Sequence, residues 1–201
     1  SPDASMTAII NTIKANDNNW KIGLAGSHAS EQNENRLYDY STIYGTSRHN
    51  KPSINTVSTF YTSCSQTIPN NYVSKQNNPA EMSWMAWYAQ ARGFDGYLRW
   101  AYDYWTKPDV TDIQDGANTA GDFNMIYRTG NSISSQPLSS VRFELLREGI
   151  QDFEKMRLLS NGDPYGSAAF QNILNQFRTS VGSDAPQLVS QGESIIKKAS
   201  L

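Results

Sequence analysis

The sequence predicts an α/β fold with parallel strands, and three observations support this prediction. Short apolar segments alternate with segments of helical period, as in folds whose strands are joined by helices. About five strands are predicted, whereas a closed eight-stranded barrel typically needs about 250 residues. The chain has only 201 residues. We therefore expect either an open α/β sheet or the second half of a (β/α)8 barrel, followed by C-terminal helices.

The first part of the chain predicts one helix and three strands. Asp3 fits the N-cap position of the helix, because apolar residues at helical spacing follow it. These apolar residues are Met6, Ile9, Ile10 and Ile13. The strands are predicted over residues 20–26, 38–44 and 55–63, which are apolar or rich in β-branched side chains.

A second helix and a fourth strand are predicted next. Asn78, the proline after it and Glu81 supply an N-cap, a favourable first residue and an acid in the first turn. Trp84 and Trp87 are spaced i, i+3 within this helix, so we interpret both as core residues. The predicted apolar stripe consists of Ala80, Trp84, Trp87, Tyr88 and Ala91. The fourth strand is predicted over residues 94–101.

The last part of the chain predicts a fifth strand over residues 122–128 and a long helix over residues 141–159. Ser139 or Ser140 is expected to cap this helix. Gly149 lies in its middle at a cost of about 1 kcal/mol relative to Ala, and close packing against a strand is the expected reason. Two more helices follow. The first has one apolar face, formed by Phe170, Ile173, Leu174 and Phe177.

Composition and charge exclude several classes of function. The 17 Lys and Arg and 19 Asp and Glu give a formal net charge of −2 without a basic cluster, so no nucleic-acid partner is expected. No apolar run reaches membrane-spanning length, so no membrane insertion is expected. One cysteine, Cys64, and two histidines cannot build a usual zinc site, and no cofactor or metal is expected. The many Asn, Ser and aromatic residues favour a secreted or periplasmic location, with any signal peptide outside this chain.

The end of the fourth strand predicts a carbohydrate site. Four aromatic residues and one carboxylate occur within residues 100–105, at a strand end that is expected to face solvent. Flat rings cover the apolar faces of a pyranose, and a carboxylate accepts hydrogen bonds from its hydroxyls. Ligands of parallel α/β folds lie beyond the carboxyl ends of the strands, which adds residues after the first and third strands. The candidate sugar-binding residues are His28, Tyr61, Trp100, Tyr102, Asp103 and Trp105.

Several of these candidates have a structural alternative. Trp100 could be buried packing inside a barrel, Asp103 could cap a turn, and Tyr61 could bond to a neighbouring strand. Two further residues are expected to support the site. Arg142 opposes the dipole of the long helix and needs an anionic partner, for which Asp122 is the predicted candidate. No two carboxylates are placed as an acid and a base, which argues against catalysis by this chain alone.

Several motifs, in this order, resemble the C-terminal half of a glycoside hydrolase family 123 type catalytic domain up to about residue 159. They are Phe60-Tyr-Thr-Ser-Cys64, Pro69-Asn70, Ala80-Glu81, Trp84-Met-Ala-Trp-Tyr88, Gly96-Tyr-Leu-Arg-Trp-Ala-Tyr102 with Trp105, Gly121-Asp122 and the helix from Ser140 to Glu154. The resemblance implies a (β/α)8 barrel that acts on β-linked N-acetylhexosaminides, chiefly N-acetylgalactosamine. It also implies that the chain is a fragment, with a partial barrel at residues 1–160 and a helical extension packed on it at residues 161–201.

The mechanism implied by the resemblance is retaining and substrate-assisted, with the acetamido oxygen of the sugar as nucleophile. An adjacent Asp-Glu pair, expected just before Ser1, would orient the acetamide and transfer the proton. The chain would then be inactive alone and would need the missing N-terminal half, or associate with itself. Tyr61, Trp100, Tyr102 and Trp105 match the wall of the sugar subsite, while Asp103 stands where Asn is expected. The alternatives are a non-catalytic carbohydrate-binding module and a structural domain whose aromatics are all core.

Overall fold

A computed structural model of the chain describes residues 4–26, 40–44, 57–105, 119–132, 134–160 and 166–200. Its centre is a parallel sheet of four strands, β1 (Gly23–Gly26), β2 (Tyr40–Tyr44), β3 (Val57–Thr62) and β4 (Gly96–Arg99), in that spatial order. The four strands predicted in this part of the chain are thereby confirmed. One helix precedes β1, and a second joins β3 to β4. This alternation confirms a mixed α/β fold.

The two faces of the sheet differ in what covers them. Phe60 of β3 pairs with Tyr97 of β4 in register, and both rings lie on the face that is packed against helices. Tyr61 pairs with Leu98, and the alternation of side chains places these two on the opposite face. Leu98 is 41% exposed, so this second face is open to solvent among the described residues.

Helix α1 (Ala4–Asn16) precedes β1 and is only partly covered. Of its predicted apolar stripe, Ile10 is buried, whereas Met6 and Ile9 are exposed. The predicted cap, Asp3, lies outside the described residues. The apolar stripe of this helix therefore has little to pack against within the described chain.

Helix α2 (Glu81–Arg92) is the most deeply buried element, because the sheet lies on one side of it and three other helices pack around the rest. Burial extends beyond the predicted stripe to nearly the whole helix. The predicted N-cap, Asn78, lies two residues before the observed one, Ala80, which makes no side-chain cap bond. Asn78 and Glu81 still stabilise the turn that leads into the helix: Asn78 Oδ1 accepts from Ala80 N at 2.9 Å, and Glu81 Oε1 accepts from Asn78 N at 2.7 Å. Trp84 and Trp87 are fully buried, as predicted.

Helix α3 (Val141–Leu159) has Ser140 as its N-cap, one of the two residues predicted for this position, and Ser140 Oγ accepts from Phe143 N at 3.2 Å. The predicted reason for Gly149 was wrong. This glycine faces helix α2 and not a strand, since a Cβ atom there would lie 2.8 Å from the Cα of Ser83 and 3.2 Å from the Cβ of Ala86. Glycine thus permits the close approach of two helices.

Helices α4 (Ala168–Thr179) and α5 (Ala185–Ala199) complete the layer around α2. All four residues of the predicted apolar face of α4 are buried. The rings of Trp87 and Phe177 stack with centroids 5.0 Å apart. At Gly192 on α5, a Cβ atom would lie 2.5 Å from the ring of Trp87, so glycine is what lets α5 close over that indole.

The fifth strand, predicted over residues 122–128, was wrong over most of its length. Only Tyr127–Arg128 is a strand there (β5), and it pairs antiparallel with Pro137–Leu138 (β6) in a separate two-stranded sheet. The preceding residues, 122–126, form bends and one isolated bridge. The Asp122 side chain and the Asn124 backbone bond to neighbouring segments, which takes the place of a sheet ladder. No helix among the described residues has the length and apolarity to cross a membrane.

Candidate functional site

The parallel arrangement brings the carboxyl ends of β3 and β4 together. Thr62, the last residue of β3, is in register with Arg99, the last residue of β4. Thr62 Oγ1 and the Tyr97 hydroxyl lie 2.7 Å apart in a hydrogen bond, and burial raises the pKa of Tyr97. The chain leaves β4 directly into the aromatic segment, so this segment lies at the sheet edge where ligands bind in parallel α/β folds.

Three aromatic side chains of this segment are neither core nor fully exposed. Trp100, Tyr102 and Trp105, called the aromatic wall below, have exposed fractions of 42%, 40% and 38%. Among the described residues Trp100 is not buried, while the alternative that it packs inside a complete barrel stays a prediction. Part of the surface of each of these residues is therefore accessible to solvent. Tyr104 is more exposed, at 58%, and contacts Phe123 edge to face.

The aromatic wall is held by the segment 122–126 through both side-chain and backbone bonds. Trp100 Nε1 donates to Asp122 Oδ1 at 3.1 Å, and Trp105 Nε1 donates to the Ile126 carbonyl at 2.9 Å. The Tyr102 carbonyl accepts from Met125 N at 2.8 Å. Both indoles are thus fixed at the nitrogen, while Trp100 and Trp105 stay partly exposed.

The backbone of Asp103 also contacts the segment 122–126. It forms an isolated antiparallel bridge with Asn124, and its side chain is exposed. This bridge is a backbone contact, so ligand binding and turn capping both stay predictions for the Asp103 side chain. The carboxylate stays on the surface beside Tyr102, where a hydroxyl-bearing ligand has access to it.

Asp122 lies behind the aromatic wall, but the predicted ion pair between Asp122 and Arg142 was wrong. Asp122 is completely buried and forms an ion pair with Arg99, whose side chain is only 4% exposed. Arg99 also donates to the Asp122 carbonyl at 2.7 Å and to the Thr62 carbonyl. Asp122 therefore ties the end of β4 to the wall and does not neutralise Arg142.

Arg142 is satisfied by neutral acceptors. Its Nη1 donates to the carbonyls of Asn71 at 2.6 Å, Gly121 at 3.1 Å and Asn124 at 2.9 Å. Its Nη2 donates to the Tyr127 hydroxyl at 2.6 Å. Burial lowers the pKa of Arg142, and Tyr127 partly opposes this effect. The guanidinium thus connects two backbone segments behind the aromatic wall, the loop at Asn71 and the segment from Gly121 to Asn124.

Sequence reasoning missed two residues of this arrangement, Arg99 and Asn71. Asn71 is 1% exposed, and its Nδ2 donates to the Gly121 carbonyl at 2.7 Å. A charged residue at the end of an apolar strand was an available signal for Arg99, since such a charge needs a buried partner. No sequence signal distinguishes Asn71 from the other Asn residues of its loop.

The remaining candidates contribute less to this geometry. Tyr61 is half-buried on the open face of the sheet, next to Leu98 in the register of β3 and β4. His28 lies outside the described residues. Cys64 is exposed near the end of β3. Within the described ranges, no three His, Cys, Asp or Glu side chains are grouped so that they could hold a metal ion.

Comparison with known proteins bears on this geometry. Residues 1–159 match the family model described as the glycoside hydrolase 123 catalytic domain. The chain is similar to the solved structure of a family 123 glycoside hydrolase from Clostridium perfringens, studied for glycolipid glycan hydrolysis, with a TM-score of 0.70 and 21% identity. The match covers 96% of this chain and 38% of that chain, so this chain spans well under half the length of the solved structure. No match was found among curated protein sequences.

Proposed function

The chain belongs to the glycoside hydrolase 123 catalytic-domain family, and from that premise we propose that it supplies one wall of the sugar-binding cleft of a glycoside hydrolase. The substrate is a β-linked N-acetylhexosaminide, and the aromatic wall binds its terminal sugar. Tyr61 and Asp103 contribute contacts from the two sides of the wall. Asp122 and Arg142 act from behind it and hold the rings in place.

One observation carries the proposal. Two indoles are fixed at their nitrogens by Asp122 and Ile126, while 42% of Trp100 and 38% of Trp105 stay exposed. A core does not require such half-exposed rings, whereas a pyranose needs a rigid apolar surface bordered by polar groups. Pre-organised rings lose little conformational entropy when a ligand binds.

The proposed reaction is hydrolysis with retention, in which the acetamido oxygen of the sugar attacks the anomeric carbon. One acid must then orient the acetamide, and a second must protonate the leaving oxygen. This sequence contains no adjacent Asp-Glu pair. Asp122 is buried in its bond to Arg99 and is unsuited to either task. We therefore assign the catalytic acids to another part of the whole protein and sugar binding to this chain.

Sugar binding by the 201-residue chain tests the proposal. Tryptophan fluorescence is titrated with N-acetylgalactosamine, and galactose serves as the matched sugar without the acetamide. Trp105→Ala is expected to weaken binding about tenfold, the effect of losing roughly 1.4 kcal/mol of contact. Trp20→Ala is the matched control, because Trp20 is also exposed, at 65%, but precedes β1 at the opposite end of the sheet. Equal affinity of the two variants, or no binding by the wild type, would contradict the proposal.

A non-catalytic carbohydrate-binding module is the second candidate, since the described wall can bind a sugar without any acid. The two candidates differ in the whole protein. A hydrolase releases N-acetylgalactosamine from an aryl β-N-acetylgalactosaminide, whereas a binding module releases none.

We propose an extracytoplasmic location for this activity, in keeping with the polysaccharide or glycan substrates of such enzymes.

A further inference from the structure

The turn between α4 and α5, residues 180–184, packs against the loop that follows β3. Gly182 in this turn is buried and has φ of 89°. A Cβ atom at this position would lie 2.7 Å from the Cβ of Pro69. Glycine is therefore required both by the left-handed backbone and by the contact. The turn lies outside residues 1–159, the part that matches the family model.

The loop at Pro69 cannot shift alone, because the next residue is bonded on several sides. Asn70 Nδ2 donates to the Ser63 carbonyl at 2.9 Å and to the Gln66 carbonyl at 2.5 Å. Asn70 N donates to Glu81 Oε2 at 2.8 Å, and Glu81 is 2% exposed. A displacement of Pro69 must therefore be passed on to the neighbouring backbone.

Asn71 transmits the position of this loop to the aromatic wall. Its Nδ2 donates to the Gly121 carbonyl at 2.7 Å, and its own carbonyl accepts from Arg142 Nη1 at 2.6 Å. Gly121 leads directly into Asp122, which bonds to Trp100. Buried polar groups joined in this way resist independent movement, since each lost bond leaves an unsatisfied group.

We propose that the turn between α4 and α5 is a positioning element of the sugar site, which holds Trp100 in place through Pro69, Asn71 and Gly121. The helices that follow the family domain thereby contribute to ligand binding without touching the ligand. This inference deepens the proposed function and rests on it for the identity of the ligand.

Gly182→Ala tests the proposal in the full chain. The added methyl pushes on Pro69, so the backbone bonds of the wall, Tyr104 N to the Phe123 carbonyl and Met125 N to the Tyr102 carbonyl, are expected to open more often. Hydrogen–deuterium exchange measured by mass spectrometry should show faster exchange in the peptides that contain these two amides. N-acetylgalactosamine affinity should fall roughly 2- to 30-fold, the range produced by residues along such networks.

Gly192→Ala is the matched control, because its methyl would lie 2.5 Å from the ring of Trp87, a contact between α5 and α2 that does not involve Pro69. It should lower the melting temperature and leave exchange at the wall and the affinity per folded molecule unchanged. Faster exchange at the wall in both variants, or in neither, would overturn the positioning role. Exchange needs no ligand, so a wild type that fails to bind sugar would overturn the proposed function and still leave this test valid.

Ser180→Ala is a milder variant in case Gly182→Ala does not fold. Ser180 Oγ accepts from Gly182 N at 3.0 Å and from Trp84 Nε1 at 3.0 Å, so its loss loosens the turn without a clash. The expected result is a smaller acceleration of exchange at Tyr104 and Met125. Unchanged exchange at these amides, with a lowered melting temperature, would again reject the proposal.

Discussion

Two buried guanidinium groups lie behind the aromatic wall and are satisfied in different ways. Arg99 has a buried carboxylate partner, Asp122, whereas Arg142 donates to three carbonyls and a tyrosine hydroxyl. A buried charge with an ionic partner is costly to separate from it, because the remaining charge stays uncompensated. Asp122 is therefore the residue on which the end of β4 and the wall depend most.

Asp122→Asn is expected to lower the free energy of unfolding by about 3–5 kcal/mol, because it leaves the Arg99 guanidinium buried without a counter-charge. Urea denaturation followed by tryptophan fluorescence measures this change. Asp103→Asn is the matched control, since Asp103 is exposed and its substitution should change the stability by less than about 0.5 kcal/mol. Similar losses in the two variants would mean that the Arg99–Asp122 pair contributes little.

For single residues, the sequence indicated which side chains would lie near the site better than it indicated the partners to which they bond. Asp122 and Arg142 were both placed near the site from their positions at a strand and at a helix start, and the structure has both behind the wall. Their pairing could not be predicted, because it depends on Arg99 reaching Asp122 from the end of β4. Such contacts between distant segments follow from register and packing, which a single sequence does not specify.

Helices α2 and α3 pack in close contact, and Gly149 makes this contact possible. Gly149→Ala should destabilise the protein by about 1–3 kcal/mol, because the methyl would lie 2.8 Å from the backbone of Ser83. This loss exceeds the gain of about 1 kcal/mol in helix propensity. Thermal unfolding measures it, and Gly166→Ala is the control, since no atom lies within 4 Å of a Cβ atom there. A more stable Gly149→Ala variant would refute the packing role.

Helices α3 and α5 carry like charges where they meet. Glu193 lies on a groove of about 610 Å³ shared with Glu148, Asp152 and Lys155. Burial raises the pKa of Glu193, and the charges of Asp152 and Glu148 raise it further, whereas Lys155 lowers it. The folded pKa lies above the ordinary value of 4.5, so the stabilising contribution is present below that pH and is lost as the pH rises through the folded pKa.

Glu193→Gln should therefore stabilise the protein at about pH 8 by up to about 1 kcal/mol and have little effect at about pH 4. Melting temperatures at the two pH values provide the measurement. Glu154→Gln is the control: Glu154 pairs with Arg157 at 2.8 Å, so its loss should be neutral or slightly destabilising at about pH 8. A lower melting temperature of Glu193→Gln at about pH 8 would contradict the predicted repulsion.

The helices could be predicted more fully than the strands, for a physical reason. The apolar face of α4 and the capping residue of α3 are local signals, and the structure agrees with both. The segment 122–126 was predicted as a strand, but Asp122 and Asn124 bond instead to Arg99 and to Asp103 of other segments. Local propensity cannot anticipate such tertiary competition.

In the whole molecule, the sheet is incompletely covered within the described chain. Strands β1 and β4 are its two edges, and each pairs with one neighbour only among the described residues. Large apolar side chains lie exposed on or near it, with fractions of 65% for Trp20, 52% for Val57 and 41% for Leu98. Exposed strand edges and apolar surface of this kind favour association.

We predict that the 201-residue chain associates with itself unless the rest of a catalytic domain covers the open face. Size-exclusion chromatography with light scattering should give a mass above that of one chain, increasing with concentration. Leu98→Lys is expected to shift the equilibrium towards the monomer, because a charge on the open face beside the β4 edge opposes pairing. Leu158→Lys is the control, since Leu158 is 70% exposed on α3, away from the sheet. A wild type that stays monomeric at every concentration would show that the open face needs no partner, and equal effects of the two lysines would place the contact elsewhere.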